Sequence, residues 1–394
     1  MARIMVVGGG TWQRPIVKKA REMGNYILCS NLYEDSPAFE YSDEVMVADV
    51  LDKQRNLEIA KQFKPDAILT DQTDIAVPTV AYIAEYLGLK GIGVDVAKRF
   101  TNKFLMREYA ARAGIPVPQY KLCYTEEAAI AFLEKVNVAI IKPIDSQSSR
   151  GIHIVRSESE IRKYYADCIQ FSNSEKAILI EEYIDGTEFT VDGVKTSTEY
   201  IVLAISEKEH YDTNPNVASR LLFTNTSDKY DYDRLRRENE ELIVDMGLPF
   251  GLTHTEYKYK DGKFYLIETA ARGGGTKISS DVVKLISGID SNQLYLDMLT
   301  NKPEKVVKEK HYEAVVLGFF DFKPGKVTAI SGVEDAELIE GIHEIGLEIN
   351  VGDDIGSPDD DRSRCGYYIA FANNLEELKK IEDSLKSTLR VETK

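Results

Sequence analysis

The sequence predicts an α/β and α+β protein: an open, mostly parallel βαβ sheet at the N-terminus, then α+β units with longer strands. Three observations predict it. Residues 1–100 alternate short apolar runs with helical patterns. The pattern changes after Gly114-Ile115-Pro116-Val117-Pro118, where glycine and proline end a helix and extend the chain. Beyond that point two strands form a hairpin, and each carries an acid in an apolar or aromatic setting.

Within residues 1–100, Ile4–Val7 reads as a buried strand, followed by Gly8-Gly9-Gly10 and a helix near Pro15–Met23. Tyr26–Ser30 and Ala67–Thr70 are further strands, with helices near Asn56–Phe63 and Pro78–Leu87. One helix is expected at about Ala97–Ala113. Strands follow at Val138–Pro143, Gly151–Val155 and Ile178–Tyr183, with a helix at Glu158–Cys168. Long strands continue near Glu188–Val194, Glu199–Ser206 and Thr253–Tyr259, and Tyr265–Thr269 completes the hairpin. Helices are expected at Asp233–Met246, Ser279–Leu285 and Ser291–Leu299, before the Lys-rich connector Asn301–Lys310. The last part has strands at Glu313–Phe320 and Tyr367–Ala372 and an amphipathic helix bearing Leu375, Leu378, Ile381, Leu385 and Leu389. The implied units are 1–100, 101–185, 186–305 and 306–394.

Composition narrows the function. The 394 residues carry a formal net charge of −16, which disfavours a general nucleic-acid binder because phosphate backbones are held by Lys and Arg. A single nucleotide needs only a few placed cations and is not excluded. The four cysteines, Cys29, Cys123, Cys168 and Cys365, form no C-x-x-C pair, so neither zinc nor a dithiol site is indicated. No stretch approaches the ~18 apolar residues of a membrane span, and the expected setting is the cytoplasm.

Several groups suit chemistry. Gly8-Gly9-Gly10 lacks the last glycine of a dinucleotide fingerprint, since Gln13 stands there, and Asn31 replaces the acid that would hold a ribose. A nicotinamide dinucleotide is therefore disfavoured, and a tight turn near a small substrate is the better reading. Lys142 leaves an apolar strand into Asp145-Ser146-Gln147-Ser148-Ser149-Arg150-Gly151, whose small polar residues suit phosphate oxygens or make a plain turn. Ile180-Glu181-Glu182-Tyr183-Ile184 runs into Gly186-Thr187-Glu188. Glu181, with the backbone of Glu182 and Ile184, suits an adenine edge, and Glu188 suits ribose hydroxyls; an ordinary strand end is the alternative.

The hairpin acids are Glu256 and Glu268. A two-residue Asp261-Gly262 turn would put them on opposite faces. A three-residue Lys260-Asp261-Gly262 loop would make them diagonal neighbours, ~7–8 Å apart at the backbone. Such a pair suits Mg²⁺. His254 would then lie across from Glu268, as a ligand-side group or a packing residue. Arg272 with Gly273-Gly274-Gly275 suits an oxyanion, or forms a hinge. Thr70-Asp71-Gln72-Thr73-Asp74 ends a strand where open α/β sheets place ligands. Asp74 suits an amino group or a helix cap, and Arg220 a carboxylate or the solvent. His210 and Tyr211 share the polar stretch near Arg220.

In order and spacing, these pieces resemble the ATP-grasp superfamily over nearly the whole chain. The matching residues are Lys103 in Thr101-Asn102-Lys103, Gly114-Ile115-Pro116-Val117-Pro118, Lys142-Pro143, Glu181-Glu182-Tyr183-Ile184, Gly186-Thr187-Glu188, Glu256, Glu268 and Arg272. Thr253-His254-Thr255-Glu256 and Ala270-Ala271-Arg272-Gly273-Gly274-Gly275 look most like L-amino-acid ligases that form dipeptides. The resemblance implies an ATP-grasp fold of two α+β subdomains, with ATP and Mg²⁺ (or Mn²⁺) between them. It implies that Lys103 and Lys142 bind phosphates under a loop formed by Ser146, Gln147, Ser148, Ser149 and Gly151. Glu181, Glu182, Ile184 and Glu188 would hold adenosine, and Glu256 and Glu268 the metal. Arg272, Lys142 and His254 would be catalytic, with Asp74, Arg220, Gly273 and Gly274 near substrate. The family's usual Asn after the second acid is Ala270 here, which puts a full two-metal shell in doubt.

The implied reaction activates a carboxylate as an acyl phosphate and joins it to an amine, with an amino acid as one substrate. The implied partners are small-molecule carboxylates and amines, without nucleic acid or membrane, and a homodimer is compatible. A purine-pathway ligase or carboxylase acting on a ribonucleotide is the alternative. It needs a further phosphate site, for which Arg14, Lys18 and Lys19 are the candidates.

Overall fold

The computed structural model describes residues 1–146, 150–358, 360 and 363–394, and of Asn216 the backbone alone. The first unit is a parallel sheet of β1 (Arg3–Val7), β2 (Tyr26–Asn31), β3 (Glu44–Val47) and β4 (Ala67–Leu69), in the order β3-β2-β1-β4. Successive side chains of β1 feed two different cores. Ile4 and Val6 join the core under helix Arg14–Glu22; Met5 and Val7 join the one under helices Lys53–Phe63 and Val77–Leu87. Both faces are thus covered, as a parallel sheet requires. The edge strand β3 has no counterpart among the expected strands.

The helix expected over Ala97–Ala113 is two helices, Val94–Arg99 and Lys103–Arg112. They break at Phe100-Thr101-Asn102, where the Asn102 side chain caps the second by accepting from the Leu105 N–H at 3.0 Å. The break sets Lys103 at the first helical position. An antiparallel sheet follows, of β5 (Tyr120–Cys123), β6 (Ala139–Pro143), β7 (His153–Val155) and β8 (Ile178–Glu182), in the order β5-β8-β6-β7. Helices Glu126–Val136 and Glu158–Gln170 pack on it through Phe132, Leu133, Ile161 and Tyr165.

The largest sheet has eight strands. Its first six members in chain order are β9 (Thr187–Lys195), β10 (Tyr200–Tyr211), β11 (Asn214–Thr224), β12 (Gly251–Lys260), β13 (Lys263–Ala270) and β14 (Ala314–Phe319). After β15 (Gly325–Ser331) come β16 (Ile342–Leu347), β17 (Asp354–Ile355), β18 (Gly366–Ala372) and β19 (Arg390–Thr393). The order is β13-β12-β9-β10-β11-β14-β18-β16, while β17, β15 and β19 make a small sheet of their own. Strand β11 pairs with β14 from Arg220↔Gly318 to Thr224↔Ala314, so one sheet continues across the connector Asn301–Lys310.

A single apolar cluster ties the halves together. Ile16, Val17 and Ala20 of the first unit join Ile278, Val282 and Leu294, and these join Leu221, Leu317 and Ile369 of the large sheet. Behind the sheet, Phe189, Val191, Tyr257, Phe264 and Leu266 pack with helices Lys103–Arg112 and Tyr232–Asp245. Among the described residues no helix is long and apolar enough to cross a membrane.

Candidate active site

Strand register builds the site. The hairpin turn is the two-residue Asp261-Gly262 form, with positive φ at both residues and Lys260 opposite Lys263. That turn alone would put Glu256 and Glu268 on opposite faces. A bulge between Tyr257 and Glu256 corrects the register: Tyr257 pairs with Leu266, Glu256 pairs with Glu268, and Ile267 is the extra residue. The acids are therefore directly opposite rather than diagonal, and His254 faces Ala270 rather than Glu268. Of the two loops considered from sequence, the three-residue one is not used. Arg107, one helical turn beyond Lys103, explains why the bulge is tolerated: its Nη2 donates to the Ile267 carbonyl at 2.6 Å.

Three rows of side chains cross the same face of the sheet. Thr190 of β9 lies opposite Glu256, Asp192 opposite His254, and Glu188 opposite Lys208 of β10. Lys208 donates to Glu188 at 2.6 Å and to Glu256 at 2.8 Å. Burial would raise both carboxyls; Lys208 outweighs it, bringing Glu188 to about 2 and, with His254, holding Glu256 well below the ordinary range. His254 is buried, its Nδ1 2.9 Å from Asp192 and its Nε2 3.6 Å from Glu256. Burial would lower its pKa, but the two carboxylates lift it to about 9.

Lys103 completes this wall, donating to Glu268 at 2.6 Å and to the Ser146 carbonyl at 2.8 Å. Behind it Glu181 is fully buried between Arg107 and Lys142, the latter at 2.6 Å. Burial pushes the Lys142 ammonium below its ordinary pKa despite Glu181. Two expectations are corrected here. Glu181 is a counterion with both oxygens engaged, not an open adenine contact, and Lys142 is buried rather than free at the sheet's edge.

The first unit supplies the opposite wall. Asp74 holds Arg272 through both oxygens, at 3.0 and 2.8 Å. Burial would lower the Arg272 pKa; Asp74 outweighs it and the pKa rises. Fully buried Asp71 accepts from the Gly273 N–H at 2.9 Å and the Ser279 hydroxyl at 3.1 Å, and burial raises its pKa. It fixes the loop after Arg272. Gly273 and Gly274 are needed for close approach: a Cβ would come within 2.4 Å of Ser279 and 2.6 Å of Asp192. The same loop holds Thr276 and Lys277 at φ 48° and 67° before a π-helical turn, Ile278–Val282.

These walls enclose a cavity of about 810 Å³. Its polar end has Lys103, Glu188, Lys208, His210, His254, Glu256, Glu268 and Arg272. The rest of the lining mixes the apolar Ala218, Leu221, Ile278, Leu317 and Phe319 with Glu348, Asp360 and Arg364, the last stacked 3.6 Å from the Phe319 ring. Trp12 meets Tyr367 edge to face at 5.8 Å across it. Ser146, Asp74 and Gly275 also line it.

Other candidate residues lie elsewhere. Arg220 is not a cavity residue: it points to the other face of the sheet, where Glu382 takes it at 2.9 and 2.8 Å and Glu209 at 2.7 Å. Tyr211 is buried, and its hydroxyl donates to the Phe320 carbonyl at 3.3 Å. Ile184 is buried, Gly151 packs on Phe171, and Glu182 accepts from Gln119 at 3.3 Å. Gln147, Ser148 and Ser149 lie outside the described residues. Arg14, Lys18 and Lys19 pair with Glu40, Glu22 and Asp290 at 2.6, 3.9 and 2.8 Å. Arg14 and Lys18 both lie over the Tyr41 ring, at 5.6 and 5.9 Å, and none of the three lines the cavity. Sequence reasoning missed Lys208, Asp192, Arg107 and Trp12, and named Asp71 in a ligand-end segment without giving it a role. Alternation along Ser206–Tyr211 puts Lys208 and His210 on one face, but only the register shows which acids they meet.

Parts of the chain are similar to known proteins. The family model described as ATP-grasp domain matches residues 136–281, and that described as L-amino acid ligase C-terminal domain 2 matches residues 318–394. The alanine–anticapsin ligase of Bacillus subtilis (strain 168) is 28% identical over 270 residues, covering 62% of this chain and 56% of that protein. A formate-dependent phosphoribosylglycinamide formyltransferase of Methanocella arvoryzae is 25% identical over 285 residues, covering 69% and 66%. The crystal structure of an L-amino acid ligase from Bacillus licheniformis superposes with a TM-score of 0.80 at 21% identity, over 100% of this chain and 99% of that one. The chain spans about three-fifths of the length of the curated relatives it matches.

Proposed function

This is an ATP-grasp protein with an L-amino acid ligase C-terminal domain, and from that premise we propose that it is an ATP-dependent carboxylate–amine ligase that uses an amino acid. The observation that carries the reading is one cavity on which Lys103, the facing pair Glu256 and Glu268, and Arg272 converge. The donor set fits Mg²⁺ or Mn²⁺. Both carboxylates are directly opposite, and each already holds an ammonium group, from Lys208 or Lys103. Glu256 and Glu268 would hold the metal, which supplies positive charge to the phosphates. Ala270 offers no oxygen opposite His254, so the protein contributes fewer ligands than a two-metal site commonly has.

In the proposed reaction an oxygen of the substrate carboxylate attacks the γ-phosphorus of ATP. The bond from that phosphorus to the bridging oxygen breaks and ADP leaves. Lys103 and Arg272 offset charge on the transferring group. The amine nitrogen then attacks the acyl carbon of the acyl phosphate, the bond to the phosphate oxygen breaks, and phosphate leaves with a proton released. Arg272, anchored by Asp74, and the loop fixed by Asp71 face the developing oxyanion. Glu188 and Ile184 would contact adenosine. The apolar side chains Ala218, Leu221, Ile278, Leu317 and Phe319 in the cavity lining suit an amino-acid side chain.

The test is ADP release measured over pairs of the twenty amino acids, with Mg²⁺ and ATP. Release stimulated by particular pairs, and lost in Glu268→Gln, is expected. Stimulation by a ribonucleotide amine and by no amino acid would overturn the reading.

A further inference from the structure

Asp71 fixes the front of the Arg272 loop from the first unit, and the C-terminal unit fixes its back. The loop turns at Thr276 and Lys277, both left-handed, at φ 48° and 67°. Glycine takes this conformation without strain; a branched residue such as Thr276 or a long one such as Lys277 holds it only when its surroundings impose it. What Lys277 adds over glycine is its side chain. The ammonium crosses to β16 and donates to Glu344 at 2.9 Å, with Asp281 next at 3.9 Å. Both oxygens of Glu344 are engaged, since the other accepts from the Tyr367 hydroxyl at 2.5 Å. Tyr367 lines the cavity and meets Trp12 there. A second contact lies beside the first: His343 Nε2 is 3.1 Å from Asp281 of the π-helical turn. Successive residues of a regular strand point to opposite faces, so His343 and Glu344 would not both meet one turn. A register shift in β16 re-aims them: Ile342 pairs with Ala370 and Glu344 with Ile369, leaving His343 as the extra residue. The turn in its turn holds the loop, because the Ile278 and Ser279 N–H groups donate to the Gly275 and Gly274 carbonyls at 3.1 and 3.3 Å.

We propose that Glu344 is a positioning residue for the transfer reaction. It acts through Lys277, whose left-handed corner sets the direction in which Arg272 and Gly273–Gly275 enter the cavity. Through Tyr367 it ties that corner to the aromatic part of the cavity lining. The proposal rests on the ligase reading above. Neither Lys277 nor Glu344 lines the cavity, so their part is to hold geometry and not to meet substrate. Lys277 belongs to the ATP-grasp part of the chain and Glu344 to the L-amino acid ligase C-terminal domain. The C-terminal unit therefore aims the loop that faces the developing oxyanion, besides extending the large sheet. Such a role shows in turnover and not in nucleotide affinity: Lys103 and Glu188 stand on elements that this contact does not hold.

The experiment takes the amino-acid pair that gives the fastest ADP release and compares wild type, Lys277→Met, Lys277→Gly, Glu344→Gln and the double variant of Lys277→Met with Glu344→Gln. For each, kcat, the KM for ATP and Tm are measured. Lys277→Met and Glu344→Gln should each lower kcat about tenfold or more while the KM for ATP holds. The double variant should be no slower than the slower single one, because both changes break the same contact. Lys277→Gly also loses the contact but relieves the left-handed backbone, so its Tm should match or exceed that of Lys277→Met while its kcat stays as low. A kcat that follows Tm across the variants would make the contact one of stability alone and overturns the proposal. An active wild type whose kcat survives in Glu344→Gln or in Lys277→Gly, or a double variant slowed by the product of the two single effects, also overturns it and leaves the ligase reading intact. A wild type that releases no ADP with any pair of the twenty amino acids overturns both.

Discussion

Replacing Glu181 by Gln removes the one negative charge between two buried cations. Glu181 and Arg107 are fully buried, Lys142 is 5% exposed, and Arg107 also carries the carbonyl of the bulge residue Ile267. Burial by itself would raise the Glu181 carboxyl; Arg107 and then Lys142 outweigh it and bring it from 4.5 to about 2. A carboxyl lowered by that much contributes about 3 kcal/mol to stability at neutral pH. Breaking a buried ion pair from one side costs about 3–5 kcal/mol, so both routes give the same magnitude. The contribution is complete above the ordinary carboxyl pKa and is lost as pH falls from about 4.5 towards about 2. Urea unfolding of wild type and Glu181→Gln at pH 7 should therefore differ by about 3 kcal/mol. The gap should narrow through that acidic window. A gap below about 1 kcal/mol at pH 7, or one that does not change with pH, would refute the counterion role.

Three further outcomes are expected. Lys208→Met leaves Glu188 and Glu256 without their shared cation; thermal stability in metal-free buffer should fall, and Mg²⁺ should restore more of it than it adds to wild type. Equal Mg²⁺ responses would contradict the metal assignment. Arg220→Ala should cost about 1–3 kcal/mol in urea unfolding by stranding Glu382, with both substrate KM values unchanged, whereas a raised KM at full stability would return Arg220 to the site. Asp71→Ala frees the Gly273 loop, so kcat should drop about tenfold or more at constant KM for ATP, and an unaltered kcat would show that the loop holds its place without it.

The parts of the fold that were legible in the sequence are those where periodicity is strong. The alternation over residues 1–100 gives β1, β2 and β4, but β3 is four residues long, lies at the edge and has no buried face to leave a pattern. The turn at Asp261-Gly262 is written in the sequence, while the bulge at Ile267 is not. Nothing in Leu266-Ile267-Glu268 marks an extra residue; a guanidinium arriving from helix Lys103–Arg112 accommodates it. Glu256, Glu268, Lys103 and Arg272, which line one cavity, were legible as candidates because their motifs are local. Lys208, Asp192 and Asp71 act through strand pairing and unit packing, which no single stretch of sequence records. Arg220 was misplaced for the same reason. In β11 its neighbour Leu221 faces the cavity, so Arg220 faces away.

The acyl phosphate is the central claim, and transfer of carboxylate oxygen tests it most directly. An amino acid labelled with ¹⁸O in its carboxyl group is turned over with ATP and an amine, and the inorganic phosphate is analysed by mass. The account predicts one ¹⁸O in phosphate for each amide formed, because the carboxylate oxygen that attacks phosphorus leaves with it. Amide formed with unlabelled phosphate would contradict it.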